Sequence, residues 1–145
     1  MIIKFKKLND LAKIPTFGSE YSAGADLYAA TSYDIEIWPD ETIKVDTGLS
    51  VAIPEGYFGA IYARSGLATK QGLRPANCVG VVDSDYRGPV IVALHNDSNI
   101  RQIVPAGSRI AQLIISPTPK FEFQEVEELD DTERGEGGFG STGTK

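Results

Sequence analysis

Two carboxylates and a phenol lie within four residues of one another in the stretch 77–88, Asn-Cys-Val-Gly-Val-Val-Asp-Ser-Asp-Tyr-Arg-Gly, at Asp83, Asp85 and Tyr86. A carboxylate held beside an electrophile can take the proton of an attacking water, and an aromatic ring three residues on can lie flat against a ligand. Both uses require a backbone that holds still. Apolar residues lead in (Val79, Val81, Val82) and lead out (Val90 to Leu94), with Asp-Ser-Asp and Arg-Gly-Pro between them. That pattern predicts a β-hairpin with the polar groups at its tip. An Asp-x-Asp turn can also be purely structural, and Asp85 is read as the member that stabilises the turn or forms an ion pair.

The elements that must position this tip are short and alternate with period two. Runs at 2–5, 33–38, 42–45, 49–53, 58–63, 79–82, 90–94 and 109–115 are punctuated by Gly, Pro, Asn and Asp. Many short strands with regular turn signals predict an all-β sandwich or barrel. Only 65–71 is suited to a helical turn or two, limited by Gly66 and Gly72. Trp38, before Pro39, is expected to pack at a turn, and Cys78 to be a small buried residue beside the pocket. His95 is read as a strand-end or surface histidine.

A chain of 145 residues, 41% hydrophobic and 23% charged, can bury one core but not two. Cys78 and His95 are the only residues of their kinds, which excludes an intrachain disulfide and the several Cys or His ligands of a deaminase-type zinc site. The net charge of −6 lacks the basic stripe that a nucleic-acid polymer needs, although a few arginines and a magnesium ion could still hold a small polyphosphate. The amino end carries no long apolar run or small-residue cleavage site, so a soluble cytoplasmic protein with no membrane span is expected.

From Pro117 the character changes. Residues 120–133 hold seven acids against one lysine, with Phe121, Phe123 and Val126 alternating so that they could add an edge strand to something. Five of the ten residues in 134–143 are glycine, which predicts a mobile segment, and the Arg134 and Phe139 inside it suit a lid over a ligand better than a plain linker. The expected organisation is a barrel over 1–116 and a carboxy-terminal arm over 117–145 within one functional domain.

Five segments taken in order resemble the five motifs of the trimeric dUTP diphosphatases (dUTPases). They are Ala-Gly-Ala-Asp-Leu-Tyr-Ala-Ala at 23–30, Ala-Arg-Ser-Gly-Leu-Ala at 63–68, the 77–88 stretch, Gly-Ser-Arg-Ile-Ala-Gln-Leu-Ile at 107–114, and Arg-Gly-Glu-Gly-Gly-Phe-Gly-Ser-Thr-Gly at 134–143. The resemblance covers nearly the whole chain. It implies a distorted jelly-roll β-barrel with at most one short helix, a homotrimer with shared active sites, and an arm that crosses to a neighbour's site. It implies Mg²⁺ as cofactor, held mainly by substrate phosphates and water rather than by a protein metal cage.

Residue by residue, the resemblance makes Asp83 the base that orients the water attacking the α-phosphorus. Tyr86 reads the deoxyribose and rejects a ribose 2′-hydroxyl, while Asn77 with the main chain of Val81, Val82 and Asp83 reads uracil, and Ile91 closes the opposite side. Arg64, Ser65 and Gly66 bind phosphates, the serine near the oxygen bridging the α and β groups, with Gln112 as a further contact. Arg134 would neutralise the γ-phosphate, Phe139 would stack on uracil, and Gly140 and Ser141 would let the arm's backbone approach the phosphates. Asp26 and Arg109 are read as structural, able to pair across a subunit boundary, with Asp26 still placed to act on the metal through water. The implied reaction is hydrolysis of dUTP to dUMP and pyrophosphate, limiting uracil in DNA and supplying dUMP for thymidylate synthesis.

Two rivals share parts of this pattern. A dCTP deaminase-like enzyme has the same fold and trimer, but its base pocket works with a glutamate and 77–88 contains none. A non-catalytic nucleotide-binding regulatory protein would need a defect at a catalytic position, and none is found.

Overall fold

The computed structural model describes residues 1–138. Twelve strands occur among them: β1 (Lys4–Lys7), β2 (Thr16–Phe17), β3 (Ala25–Tyr28), β4 (Ile35–Ile37), β5 (Thr42–Asp46), β6 (Leu49–Ala52), β7 (Tyr57–Tyr62), β8 (Leu73–Pro75), β9 (Gly80–Val82), β10 (Ile91–Asn96), β11 (Gln102–Val104) and β12 (Arg109–Pro117). All pair antiparallel, in four small sheets ordered β2-β3-β12-β7-β9, β5-β10-β8, β1-β6 and β11-β4. They wrap as an open, distorted barrel around one core, in which Leu27, Ile37, Leu49, Leu73, Leu94 and Ile110 are fully buried. Each such side chain contributes about 2 kcal/mol by leaving water.

The helical element among the described residues is one π-type turn, Leu67–Gln71, between β7 and β8. It stops at Gly72, whose φ of 68° is left-handed and whose N–H returns to the carbonyl of Leu67. A Cβ at Gly72 would also lie 3.0 Å from the Ser98 nitrogen, so both backbone conformation and space demand glycine there. No helix among the described residues is long and apolar enough to cross a membrane.

Eight runs were expected as strands, and each overlaps one, with ends displaced by up to two residues. The remaining strands, β2, β3, β8 and β11, have two to four residues, too few to display a period. β3 is also buried on both faces over Ala25, Asp26 and Leu27, so no alternation exists to be read.

The expected hairpin from 79–82 to 90–94 is corrected by the strand pairing. β9 joins β7 through Gly59↔Val82 and Ile61↔Gly80, whereas β10 pairs with β5 on one edge and β8 on the other. The true hairpin arms are β8 and β10, in register through Leu94↔Pro75 and His95↔Arg74. Residues 76–90 are an excursion from that hairpin, and its middle adds a strand to a different sheet. Alternation shows which face of a strand is buried, but both edges look alike in sequence, so partner choice is not encoded there.

Three local expectations also change. Cys78 is exposed rather than buried, with a φ of 62°. Trp38 does begin a turn closed by the Glu41 N–H to its carbonyl at 3.1 Å, yet it is 58% exposed and carries the Arg101 guanidinium 5.7 Å from its ring centre. Phe121 and Phe123 add no strand within the chain; they are exposed and meet edge to face at 5.3 Å. The root of the arm is tied to the β6–β7 turn, where Thr118 N–H donates to the Gly56 carbonyl at 2.9 Å and Lys120 pairs with Glu55.

Candidate active site

A cavity of about 190 Å³ opens where β9 turns into the loop before β10. Asn77, Val81, Val82, Asp83, Tyr86 and Ile91 line it together. The pairing of β9 with β7 fixes one wall. Glycine at 59 leaves room there for Val82 of β9 and for the tips of Ile53 and Leu113, which a Cβ would meet at 3.3, 2.9 and 3.0 Å. Val81, Tyr86 and Ile91 are 62%, 44% and 42% exposed, a concentration of uncovered apolar surface around one carboxylate that suits a ligand with a flat apolar part.

The loop beyond Asp83 holds itself by hydrogen bonds. Tyr86 N–H donates to the Asp83 carbonyl at 3.2 Å, and one Arg87 nitrogen donates to the carbonyls of Ser84 and Tyr86 at 2.7 and 2.8 Å. The hydroxyl of Ser50, on β6, anchors the loop to the barrel by donating to the Arg87 carbonyl at 2.7 Å. The Tyr86 hydroxyl donates to the Pro89 carbonyl at 3.1 Å, and its ring lies so close over Gly88 that a Cβ there would fall 2.4 Å from the phenol oxygen. Asp83 and Tyr86 are therefore fixed relative to one another. Sequence reasoning missed Ser50 and Pro89; a serine in a strand and a proline after a turn carry no pattern that points at a site.

The expected phosphate residues lie elsewhere. Arg64 lines a separate cleft of about 350 Å³ with Tyr28, Gly107 and Arg109. Asp83 follows Val82, the β7 partner of Gly59, and Arg64 lies five residues beyond Gly59, roughly 16 Å at strand rise. Ser65 and Gly66 sit at the entry to the helical turn, where Thr69 Oγ1 donates to the Ser65 carbonyl at 2.7 Å. A Cβ on Gly66 would meet nothing within 4 Å, so the chain's own packing does not require glycine here.

Asp26 is buried and accepts from two arginines of its own chain, Arg64 Nε at 2.8 Å and one Arg109 NH at 3.1 Å. The Asp26–Arg109 pair, expected across a subunit boundary, thus forms within one chain. Antiparallel β3 and β12 place the two residues on adjacent strands, and Asp26 lies opposite Gln112. Gln112 in turn donates from Nε2 to the Ala63 carbonyl at 2.9 Å and packs where a Cβ on Gly24 would lie 2.6 Å from its Oε1. It braces the Arg64 backbone from behind. Arg134 reaches neither cavity, its Nε donating to the Gly137 carbonyl at 2.7 Å. Phe139, Gly140 and Ser141 lie outside the described residues.

One chain thus builds a cavity lined by apolar surface and the Asp83 carboxylate, and separately a cleft in which Arg64 and Arg109 converge on Asp26. The dUTPase family model matches residues 10–143. The chain belongs to the dUTPase family. Deoxyuridine 5′-triphosphate nucleotidohydrolases of Nautilia profundicola and Syntrophotalea carbinolica are 48% and 43% identical to it, over 99% and 97% of this chain and 99% and 96% of theirs. Among solved structures, a variant of the Staphylococcus bacteriophage 80alpha dUTPase with dUpNHpp superposes with a TM-score of 0.87 at 29% identity, covering 98% of both chains. A variant of the dUTPase from phage phi11 of S. aureus, described with a structural Mg(II) ion, gives 0.81 at 24% identity over 90% of this chain and all of that one. The open barrel is accordingly the distorted jelly roll of the dUTPases, and the chain is one of the family's hydrolases.

Proposed function

We propose that the chain hydrolyses dUTP to dUMP and pyrophosphate, with uracil and deoxyribose in the 190 Å³ cavity and Asp83 taking the proton of the water that attacks the α-phosphorus. The observation that carries this reading is the placement of Asp83 and Tyr86 on one self-bonded loop at the mouth of that cavity. A general base works only within hydrogen-bond reach of its proton, and the loop fixes the Asp83 main chain, from which the carboxylate projects, without borrowing order from the ligand. The Tyr86 ring, tied to Pro89, is the wall against which a ribose 2′-hydroxyl would collide. Asn77 and the edge of β9 supply the fixed donors and acceptors that separate uracil from cytosine.

The separation of Asp83 from Arg64 supports a shared site, in which Arg64, Ser65 and Gly66 of one subunit serve the nucleoside cavity of another. The proposed assembly is a homotrimer. Its arm, 117–145, would leave the barrel at Pro117 and Pro119 and cross to a neighbour. An apolar groove of about 380 Å³ beside the free edges of β1 and β2, lined by Ile3, Phe5, Ile14 and Phe17, is suited to the exposed Phe121 and Phe123 of such an arm. Arg134, Phe139, Gly140 and Ser141 would then close over phosphates and base.

Mg²⁺ is the proposed cofactor. Among the described residues no three His, Cys, Asp or Glu side chains converge on a common point, and both Asp26 oxygens are taken by arginines, so the ion would draw its ligands from the triphosphate and water. When bound it would neutralise phosphate charge. Limiting uracil in DNA and supplying dUMP in the cytoplasm is the cellular role this reaction would serve.

The test is pyrophosphate and ammonia release from dUTP, UTP, dCTP and dTTP by the wild type and by Asp83→Asn. Pyrophosphate from dUTP alone, lost in the variant, is the expected result. Binding of dUTP by the wild type without turnover would reject the enzyme in favour of a nucleotide sensor, and ammonia from dCTP would make it a deaminase.

A further inference from the structure

The wall that Asn77 gives the nucleoside cavity is a tight turn in an unfavourable conformation. The Cys78 N–H donates to the Pro75 carbonyl at 3.0 Å, the Val79 N–H returns to the Asn77 carbonyl at 2.6 Å, and between them Cys78 sits at a φ of 62°. A non-glycine residue is disfavoured there and persists only where its surroundings hold it. Asn77 itself is folded back over β9, its Nδ2 3.3 Å from where a Cβ on Gly80 would be.

Outside the cavity, one side chain reaches both ends of this turn. Arg74 on β8 places a guanidinium nitrogen 3.4 Å from the Pro75 carbonyl and 3.6 Å from Cys78 Sγ. Its other two nitrogens are committed: Nε pairs with Asp97 Oδ2 and the second NH donates to Asp97 Oδ1 at 3.0 Å. The two-point fork fixes the plane of the guanidinium, and with it the direction of the third nitrogen. Asp97 is held in turn, 3.4 Å from His95 Nε2, while His95 Nδ1 meets Thr42 Oγ1 at 2.9 Å.

We propose that Arg74, oriented by Asp97, is a positioning residue that sets the Asn77 turn and through it the discrimination between uracil and cytosine. It touches no part of the cavity, so it acts on how well the base is read and not on the proton transfer at Asp83. The inference rests on the proposed placement of the base beside Asn77.

The experiment measures kcat and KM for dUTP and dCTP with wild type, Arg74→Ala, Arg74→Lys, Asp97→Asn and the Arg74→Ala/Asp97→Asn double variant, with melting curves for each. The expected result is a KM for dUTP raised about 5- to 10-fold, a kcat within about twofold, and a dUTP-over-dCTP preference lowered by a similar factor. Lysine, lacking the fork, should not restore it, and the double variant should be no worse than either single change because both remove one device. Folded variants with wild-type KM and preference, or a loss confined to kcat, would overturn the proposal. Should Arg74→Ala fail to fold, Asp97→Asn decides by the same criteria. Failure of the underlying reading looks different, since the wild type itself would then release no pyrophosphate from dUTP.

Discussion

The cavity at Asp83 and the Arg64 cluster differ in how much of themselves one chain completes. Around Asp83, a strand pairing, a serine anchor and four loop hydrogen bonds order the loop before any ligand arrives. Around Arg64, the guanidinium is turned onto Asp26, and Gly66 faces open space. On the proposed reading, recognition of the nucleoside would be a property of the fold of one subunit, and neutralisation of the phosphates would be left to an assembly. Such a division would couple catalysis to assembly, because a lone chain could hold a nucleoside without being able to stabilise charge on its leaving pyrophosphate.

The contrast can be broken at several points, and the largest effect is expected at the base. Asp83→Asn keeps shape and removes the proton acceptor, so kcat should fall by about 10³-fold with little change in KM, as read by single-turnover kinetics. Tyr86→Ala should leave dUTP turnover less damaged but lower the preference for dUTP over UTP by about 10²-fold, measured as the ratio of their kcat/KM values. An unchanged ratio would remove the ring from sugar selection. Gly88→Ala is milder. The added methyl meets the Tyr86 phenol, so the ring must shift, and a KM raised about tenfold with Asp83 chemistry intact is expected.

The smallest effect belongs to the arm's root. The hydrogen bond and charge of Lys120 hold the Glu55 carboxyl below its ordinary value of 4.5, and Glu55 holds Lys120 above 10.5. The carboxylate's contribution is present above pH 4.5 and is lost as acid titrates it through its lowered value; the ammonium's is present below pH 10.5 and is lost as alkali passes its raised value. Between those limits the latch should be indifferent to pH. Both groups are fully exposed, so salt should weaken it. Limited proteolysis near Phe121 should accordingly be constant from about pH 6 to 9 and rise in strong acid or high salt.

Much of this was legible before any coordinates. Alternation announced an all-β chain, and Gly66 and Gly72 bounded the single helical turn. Six of the residues that line the cavity could be named because they sit in one contiguous stretch and on the strand that leaves it. What stayed hidden was pairing: that β9 joins β7 and that β8, not β9, is the hairpin partner of β10 depends on edges, which side-chain patterns do not mark. Asp26 and Arg109 were recognised as a pair, but whether one chain could close it hinged on the β3–β12 register. Arg74 went unnoticed because its role depends on an aspartate 23 residues away across a strand pair.

Subunit complementation tests the division most directly. Asp83→Asn and Arg64→Ala chains, each inactive alone, are unfolded together and refolded as a mixture. If sites are shared, random assembly pairs an intact Asp83 with a neighbour's intact Arg64 at about a quarter of the sites, and a corresponding fraction of wild-type pyrophosphate release should return. A refolded mixture of correct size that stays as inactive as its parents would show that both residues must come from one chain, and would contradict the account.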